Sequence, residues 1–464
     1  MKKYNKFIAG AMAVSLAFGA VIIPESIVPA VSVTANAAAE YTTGKYEQLK
    51  YKNYGDYIEI SGLEESATDV VIPPEIDGVP VTRIGNLLCY NPNVVSPYQL
   101  TSIKIPDSVT YIGMEAFSKC GHLTSIEIPE SVTYIGAGAF RQCNFTSVKI
   151  PDSVTYIGVS AFELCENLAS IEIPESVTYI GSNAFRLTPW AEEKLSENQF
   201  LIVNNILLDI KNCPYDVVVP DNVTGIAGAF WRNYNLTSIK IPDGVTYIGD
   251  STFEGCGNLK SIEFPDSVTE IKGSAFYECK NLTSVVLPKN LTNISNSLFA
   301  SCENLKSVNI PDSVTSIGSF AFYECKSLTE INIPDGVTSI KENAFFDCKN
   351  LTKITILNPD CEINSPYISN TTTIYGYENS TAQAYAEKCG YKFESLGEAP
   401  EKITATGDMN GDGEFTVSDA VIFQKYILGE SDTEISDWKQ ADLNSDGLLD
   451  SFDLVIMRKK LIEK

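Results

Sequence analysis

The chain has 464 residues, with 59 acidic against 34 basic side chains, a formal charge of −25 and a pI of about 4.5. So acidic a surface repels phosphate backbones and anionic lipid, which argues against nucleic acid or a charged membrane as a partner. One histidine, His122, and no H-E-x-x-H, nucleophile-elbow or phosphate-loop motif leave nothing that favours catalysis, and the chain reads as a non-enzyme.

Residues 1–37 read as an export signal. Lys2, Lys3 and Lys6 give the positive start, Phe7 to Ile23 the apolar core, and Ala35-Asn36-Ala37 a small-residue cleavage site. No second apolar span follows, so the expected product is secreted and extracellular, with no membrane span. Residues 38–99 are expected to form an N-terminal cap with irregular first repeats.

From Leu100 the chain repeats a phrase of about 23 residues, Leu-Thr-Ser-Ile-Lys-Ile-Pro-Asp-Ser-Val-Thr-Tyr-Ile-Gly-x-x-Ala-Phe-x-x-Cys-x-x. Copies begin at Leu100, Leu123, Phe145, Leu168, Leu236, Leu259, Leu282, Leu305 and Leu328. A fixed period in this range predicts a solenoid over residues 100–350, in which each unit buries its apolar face only against its neighbours. Positions 1, 4 and 6 are apolar with polar residues between, which predicts a short inward-facing strand. Proline at position 7 ends that strand, because it cannot donate to a ladder. Phenylalanine at position 18 predicts an aromatic stack through the core. The interval from Leu168 to Leu236 departs from the phrase, and a hairpin insertion is expected at about 190–213, with Phe200–Val203 and Ile206–Asp209 as its strands. Residues 351–396 are expected to cap the back.

Cysteine recurs at position 21: Cys120, Cys143 and Cys165, then Cys256, Cys279, Cys302, Cys325 and Cys348. Twelve cysteines in an exported chain suggest disulfides, but a column with parallel Cβ vectors suits bridging poorly. Buried free thiols are the expectation.

This phrase resembles the BspA-like leucine-rich repeats of bacterial surface proteins, and Thr373 to Ala386 resembles that family's C-terminal cap. The resemblance implies a mainly β solenoid of short parallel strands with helical or 3-10 turns. It implies no shared chemistry.

Repetition turns positions into columns. Position 5 alternates Lys104, Glu127, Lys149, Glu172, then Lys240, Glu263, which places opposite charges on neighbouring units. Position 8 is nearly always acidic, as turn residues after proline often are. Position 12 is tyrosine at Tyr111, Tyr134, Tyr156, Tyr179 and Tyr247 and polar later, which predicts exposure. Those five rings are a candidate platform for sugar or a protein partner.

After a linker over 397–406, residues 407–464 contain one twelve-residue pattern twice: Asp408 to Asp419 and Asp442 to Asp453. A hard cation such as calcium takes six to eight oxygens, and such a loop offers them from positions 1, 3, 5, 9 and 12 and the carbonyl of 7. The candidate ligands are Asp408, Asn410, Asp412, Glu414, Thr416 and Asp419, then Asp442, Asn444, Asp446, Leu448, Asp450 and Asp453. Gly413 and Gly447 stand at position 6, the sharp turn. Two calcium ions are expected. The segment is too small to bury much core, so the metal is expected to be structural.

Both loops end in Asp rather than the usual Glu and lead straight into an apolar helix. This duplicated unit resembles a type I dockerin, and Trp438-Lys439-Gln440-Ala441-Asp442 with Phe452 to Arg458 resembles dockerins of ruminococcal cellulosomes. The resemblance implies a small all-α domain that binds the cohesin module of a scaffoldin. It implies contacts by Val417, Ser418, Gln424 and Lys425 in the first copy and by Ser451, Phe452, Arg458 and Lys459 in the second. The copies differ at these pairs, which argues against docking in two equivalent orientations.

The expectation is a secreted, non-catalytic cellulosome component whose solenoid binds plant cell-wall polysaccharide, a neighbouring enzyme or a surface protein. The alternatives are an unrecognised polysaccharide-degrading hydrolase, with the Trp190–Cys213 stretch as the place for it, and a structural spacer.

Overall fold

The computed structural model describes residues 41–64, 66–89, 99–365, 367–400, 407–409, 415–429, 441–444 and 446–462. The expected export signal, residues 401–406 of the expected linker, and Trp438, Lys439 and Gln440 therefore lie outside the described residues. The chain forms two compact units, Met1–Glu197 and Asn198–Lys464, divided within the stretch where the repeat departs from its phrase.

The first unit begins with three antiparallel strands, β1 (Thr42–Tyr46), β2 (Leu49–Asn53) and β3 (Ile58–Leu63). From there pairing turns parallel: β3 joins β4 (Val79–Ile84), which joins the two-residue strands Tyr111–Ile112, Tyr134–Ile135, Tyr156–Ile157 and Tyr179–Ile180. Helix α1 (Pro189–Glu197) closes this unit, with the Trp190 ring edge-on to Phe185 at 5.1 Å. The sequence did not predict it, because Trp-Ala-Glu-Glu-Lys-Leu is too short a run to show a helical period.

In the second unit the expected hairpin is present as β5 (Phe200–Val203) and β6 (Ile206–Ile210), and β6 pairs in parallel with Gly225–Ile226 to start the next sheet. At the far end the parallel strands Glu330–Ile333, Lys353–Ile356, Thr373–Gly376 and Lys392–Ser395 pair in that order. Helix α2 (Thr381–Cys389) lies between the last two in sequence, with Ser380 as its N-cap and the left-handed Gly390 as its C-cap.

Most repeats, or rungs, contribute two short strands, at positions 3–5 and 12–13, in register with the same positions of a neighbouring rung; the copy at Leu123 contributes only the second. Position 1, 4, 10, 13, 17, 18 and 21 side chains are predominantly buried, and the position 18 rings stack face to face. In the first unit Phe117, Phe140, Phe162 and Phe185 sit 5.2–5.6 Å apart. In the second, Phe230, Phe253, Phe276, Phe299, Phe322 and Phe345 do the same.

The solenoid of short parallel strands is the fold class expected, and the last third of each rung is a run of separate tight turns. Positions 16 and 20 sit at positive φ, as at Glu115 (52°) and Lys119 (64°), or Ser274 (56°) and Glu278 (58°), so no helix can propagate. The N–H groups at 16, 18 and 20 turn outward to the next rung, as Glu115, Phe117 and Lys119 donate to the carbonyls of Ala137, Ala139 and Arg141. The backbone there makes a second ladder, satisfying polar groups that a buried turn would strand. Rungs also approach closely at position 14: a Cβ on Gly158 would lie 2.4 Å from the Ala137 nitrogen.

The cysteine column follows the same rule. All twelve cysteines are free, and only Cys389 is exposed. Cys143, Cys165, Cys256, Cys279, Cys302, Cys325 and Cys348 each donate the thiol to the position 18 carbonyl of the preceding rung, at 2.9–3.2 Å. Where position 21 is Thr188, the hydroxyl instead donates to Phe185 of its own rung at 2.7 Å. A thiol is thus both a small apolar filler and a weak donor to a carbonyl with a spare lone pair. Position 5 behaves less simply. Lys149 and Glu172 are register partners, but the Lys149 Nζ lies 3.7 Å from Glu130 at position 8 of the rung before. Exposed pairs of this kind contribute at most about 1 kcal/mol.

Burial pushes the thiols of Cys165, Cys256 and Cys348 up to about 12, so they stay protonated and unreactive at neutral pH. A thiol-exchange titration of the native protein at pH 8 is expected to show one fast-reacting group, removed by Cys389→Ser; several fast groups would contradict the buried column. Phe276→Ala is expected to cost about 3–5 kcal/mol in denaturant unfolding of the solenoid.

Candidate functional site

The C-terminal pair of helices, α3 (Val417–Ile427) and α4 (Ser451–Ile462), packs through a core no larger than a handful of side chains. Met409, Ala420, Phe423, Ala441, Leu454 and Met457 are buried, with Phe415, Ile422, Leu443, Leu449 and Leu461 against them. Loop positions 2 (Met409, Leu443) and 8 (Phe415, Leu449) thus supply much of the core. Packing of the helices and conformation of the loops are therefore one problem.

In the second loop the backbone curls around its acidic side chains. The Asp442 carboxylate accepts N–H bonds from Asp446 (3.1 Å) and Gly447 (2.8 Å), Asn444 Oδ1 accepts from Asp446 (3.1 Å), and Asp446 accepts from Leu448 (2.8 Å). Gly447 adopts φ +79° with nothing within 4 Å of a would-be Cβ, so backbone conformation rather than crowding selects glycine here. Asp453 is fully buried, accepting from Leu443 (2.8 Å), Asn444 (3.1 Å) and Asp450 (3.1 Å). Among the described residues it has no ion-pair partner.

The first loop shows the same closure where it is described. Asp419, also fully buried, accepts from the N–H of Met409 (2.8 Å) and of Thr416 (2.7 Å). Thr416 and Asp419 form a capping box at the start of α3, so two expected ligands also begin the helix. Asp408 is buried, as is Asp442. The expected ligands Asn410, Asp412 and Glu414 lie outside the described residues.

The donor set fits a hard cation: it is all oxygen, rich in carboxylate, and its two fully buried carboxylates stand at the loop's last position. Among the described residues no three His, Cys, Asp or Glu side chains form a ready-made metal cage, and the carboxylates of the second loop turn onto backbone N–H groups. Each carboxylate oxygen that accepts one N–H keeps a further lone pair for a metal.

The eight residues expected to meet a partner are all exposed. Val417 is 67% and Phe452 69% exposed, high values for apolar side chains on a small domain. Gln424 and Arg458, equivalent positions in the two copies, meet: Arg458 Nη2 donates to Gln424 Oε1 at 2.8 Å. Sequence reasoning missed Val421 and Val455, another equivalent pair, at 47% and 62% exposure, and Leu428 at 67%. Apolar residues fall on more than one side of each helix, so sequence alone did not say which of them are turned out. The i+4 spacing of Val421 from Val417 was the available signal.

The tyrosine column differs from expectation. Exposure was predicted; instead Tyr111, Tyr134 and Tyr156 are half-buried and Tyr179 is buried, with ring centroids 4.5–4.7 Å apart. In-register parallel strands lay each ring on the one before, so the faces that would stack on a sugar already stack on each other. Arg83 caps the column, its guanidinium 4.2 Å from the Tyr111 ring centre. Tyr247 belongs to the second unit and leans over Gly225, where a side chain would collide with its ring at 2.2 Å. Burial raises the phenols of Tyr111 and Tyr134 above their ordinary range. His122 is an exposed turn residue.

A family model described as the BspA type leucine rich repeat region matches six copies, over residues 93–214, 224–352 and 293–375. The chain belongs to this family. A model of the dockerin type I domain matches residues 406–462, and the tail of this BspA-type repeat protein is such a domain. Type I dockerins bind calcium and imply a cohesin partner. Both matched families are binding modules. Among solved structures, a leucine-rich repeat protein from Bacteroides ovatus is 25% identical, with 78% of this chain and all of that chain covered and a TM-score of 0.34. A leucine rich cell surface protein from Faecalibacterium prausnitzii is 26% identical, with 69% and 96% covered and a TM-score of 0.30. A leucine-rich repeat protein from Eubacterium ventriosum is 21% identical, with 66% and 88% covered and a TM-score of 0.35. No curated protein matches the chain. Among the described residues no helix is long and apolar enough to cross a membrane.

Because the Arg458–Gln424 bond joins the two copies, Arg458→Ala is expected to loosen α3 against α4 by no more than about 1 kcal/mol, as an exposed contact should. Thermal unfolding of the isolated tail measures this; a loss several times larger would make the pair structural.

Proposed function

We propose that this protein is a secreted, non-catalytic component of a cellulosome, attached through its dockerin while its solenoid contacts polysaccharide or another protein. The observation that carries the attachment is the pair of loops whose closing carboxylates, Asp419 and Asp453, are fully buried at the foot of helices bearing exposed apolar side chains. Two calcium ions would be held by Asp408, Asn410, Asp412, Thr416 and Asp419 with the Glu414 carbonyl, and by Asp442, Asn444, Asp446, Asp450 and Asp453 with the Leu448 carbonyl. Bound calcium supplies the positive charge that lets these carboxylates stay buried and ionised.

The loop residues themselves do the rest. Their N–H bonds curl the backbone, positions 2 and 8 drop into the core, and the helices are fixed with Val417, Ser418, Gln424, Lys425, Ser451, Phe452, Arg458 and Lys459 outward. Val421 and Val455 join that surface. A cohesin would bury these apolar side chains and leave the lysines at the rim.

Asp408→Ala with Asp442→Ala is expected to abolish calcium-dependent folding of the tail and cohesin capture while leaving solenoid unfolding unchanged. Calcium at one hundred times its Kd should stabilise the wild-type tail by about 2.7 kcal/mol per site, an increment lost in the variant. Undiminished cohesin affinity of the variant by calorimetry, or a tail equally stable in chelator, sinks the reading. Val421→Asp and Val455→Asp are expected to weaken capture without altering calcium uptake.

A further inference from the structure

The second unit carries an aromatic surface that neither the fold nor the dockerin uses. Phe320, Tyr323, Phe346 and Tyr367 form one contiguous group. Phe320 is edge-on to Tyr323 at 5.9 Å, Tyr323 parallel to Phe346 at 5.8 Å, and Phe346 edge-on to Tyr367 at 5.8 Å. Phe346 is 38% and Tyr367 62% exposed. These rings lie at positions 16 and 19 and beyond the last full repeat, outside the buried stack at position 18.

Two features separate this group from ordinary surface aromatics. Phe320 sits in the left-handed region at φ 57°, where other rungs place Glu115, Gly138, Ser160, Asn183, Ser251, Ser274, Ser297 or Asn343 and none places another aromatic. A bulky side chain there is strained, and solenoid packing does not ask for it. Position 19 also changes character along the chain, and in the second unit it still includes Glu254, 3.9 Å from Arg232. In the first it is a buried ion-pair ladder, with Glu163 accepting from Arg141 (2.8 Å) and Arg186 (2.9 Å). Here it is Tyr323 and Phe346.

The rim around the rings is charged yet self-compensated. Lys326 lies 3.3 Å from Glu303 and 3.8 Å from Glu324, Lys349 lies 3.4 Å from Asp347, and the Tyr323 hydroxyl donates to Glu324 at 3.0 Å. Three carboxylates face two ammonium groups, a near balance in a chain whose formal charge is −25. A basic protein partner would select uncompensated carboxylates. A neutral, polyhydroxylated ligand needs adjacent donors and acceptors for its hydroxyls and aromatic faces for its C–H surfaces.

We propose that this patch binds a neutral polysaccharide chain, with Phe346 and Tyr367 as the stacking rings and Glu303, Lys326, Asp347 and Lys349 as hydrogen-bonding groups. The proposal rests on the reading of the solenoid as a contact module, and moves the sugar site from the tyrosine column to this flank.

The test is affinity electrophoresis of the full chain, with calcium, through gels containing soluble mixed-linkage β-glucan, xyloglucan or glucomannan. Retardation by at least one of these is expected. Phe346→Ala with Tyr367→Ala should weaken it about tenfold or more, whereas Tyr215→Ala with Tyr234→Ala, exposed aromatics elsewhere, should not. All variants should keep wild-type cohesin capture and melting behaviour. Retardation undiminished in the first double variant overturns the patch while leaving a polysaccharide role for the solenoid. No retardation of wild-type by any of the three overturns the polysaccharide proposal and leaves the attachment reading untouched. Retardation lost between about 0.05 and 0.5 M salt assigns the contact to charge and also overturns it.

Discussion

In-register stacking of near-identical rungs is the constraint on which the solenoid depends. Each residue meets its own counterpart one rung away, so every polar group must be satisfied by a copy of itself or of a fixed neighbour. The two strands of a rung achieve this with ordinary parallel ladders. The remainder does so with left-handed residues at positions 16 and 20 that turn alternate N–H groups outward. Cysteine at position 21 fits the same logic, because its thiol is small enough for the core and still donates to a carbonyl one rung back. Where that position is Thr188, the hydroxyl finds a carbonyl in its own rung instead.

The same constraint decides which surfaces are open to ligands. A column of identical aromatic rings in register consumes its own faces, as Tyr111 to Tyr179 do. The second aromatic group is less regular: Tyr323 and Phe346 share position 19 and stack in parallel, while Phe320 and Tyr367 come from other positions and meet them at steep angles. In a repeat protein the informative surface residues are thus the exceptions to the phrase.

The dockerin answers a different problem. Its core is a few side chains drawn partly from the loops, so it cannot stabilise itself by area alone. Buried Asp419 and Asp453 are tolerable only because several backbone N–H groups point at each, and a cation would complete that balance. Position 12 is thereby tied to helix capping, loop closure and exposure of Val417, Val421, Phe452 and Val455 together. Loop closure and helix packing are one problem in such a tail.

The sequence by itself determined the period, the phenylalanine stack, the free cysteine column, the hairpin at 200–210 and the duplicated loops, because each follows from residue type at a fixed spacing. It did not reveal α1, whose short polar run has no period, nor the turn ladder, because Glu, Lys and Ser at positive φ carry no compositional mark. Only the tertiary structure decided which apolar side chains of each C-terminal helix face out, since they fall on more than one side. It also decided that the tyrosines of the first unit cover one another while Phe320, Tyr323, Phe346 and Tyr367 gather in the second. The physical reason is that burial is a property of pairs of rungs, and a side chain's accessible face is fixed only when its neighbour's ring is in place.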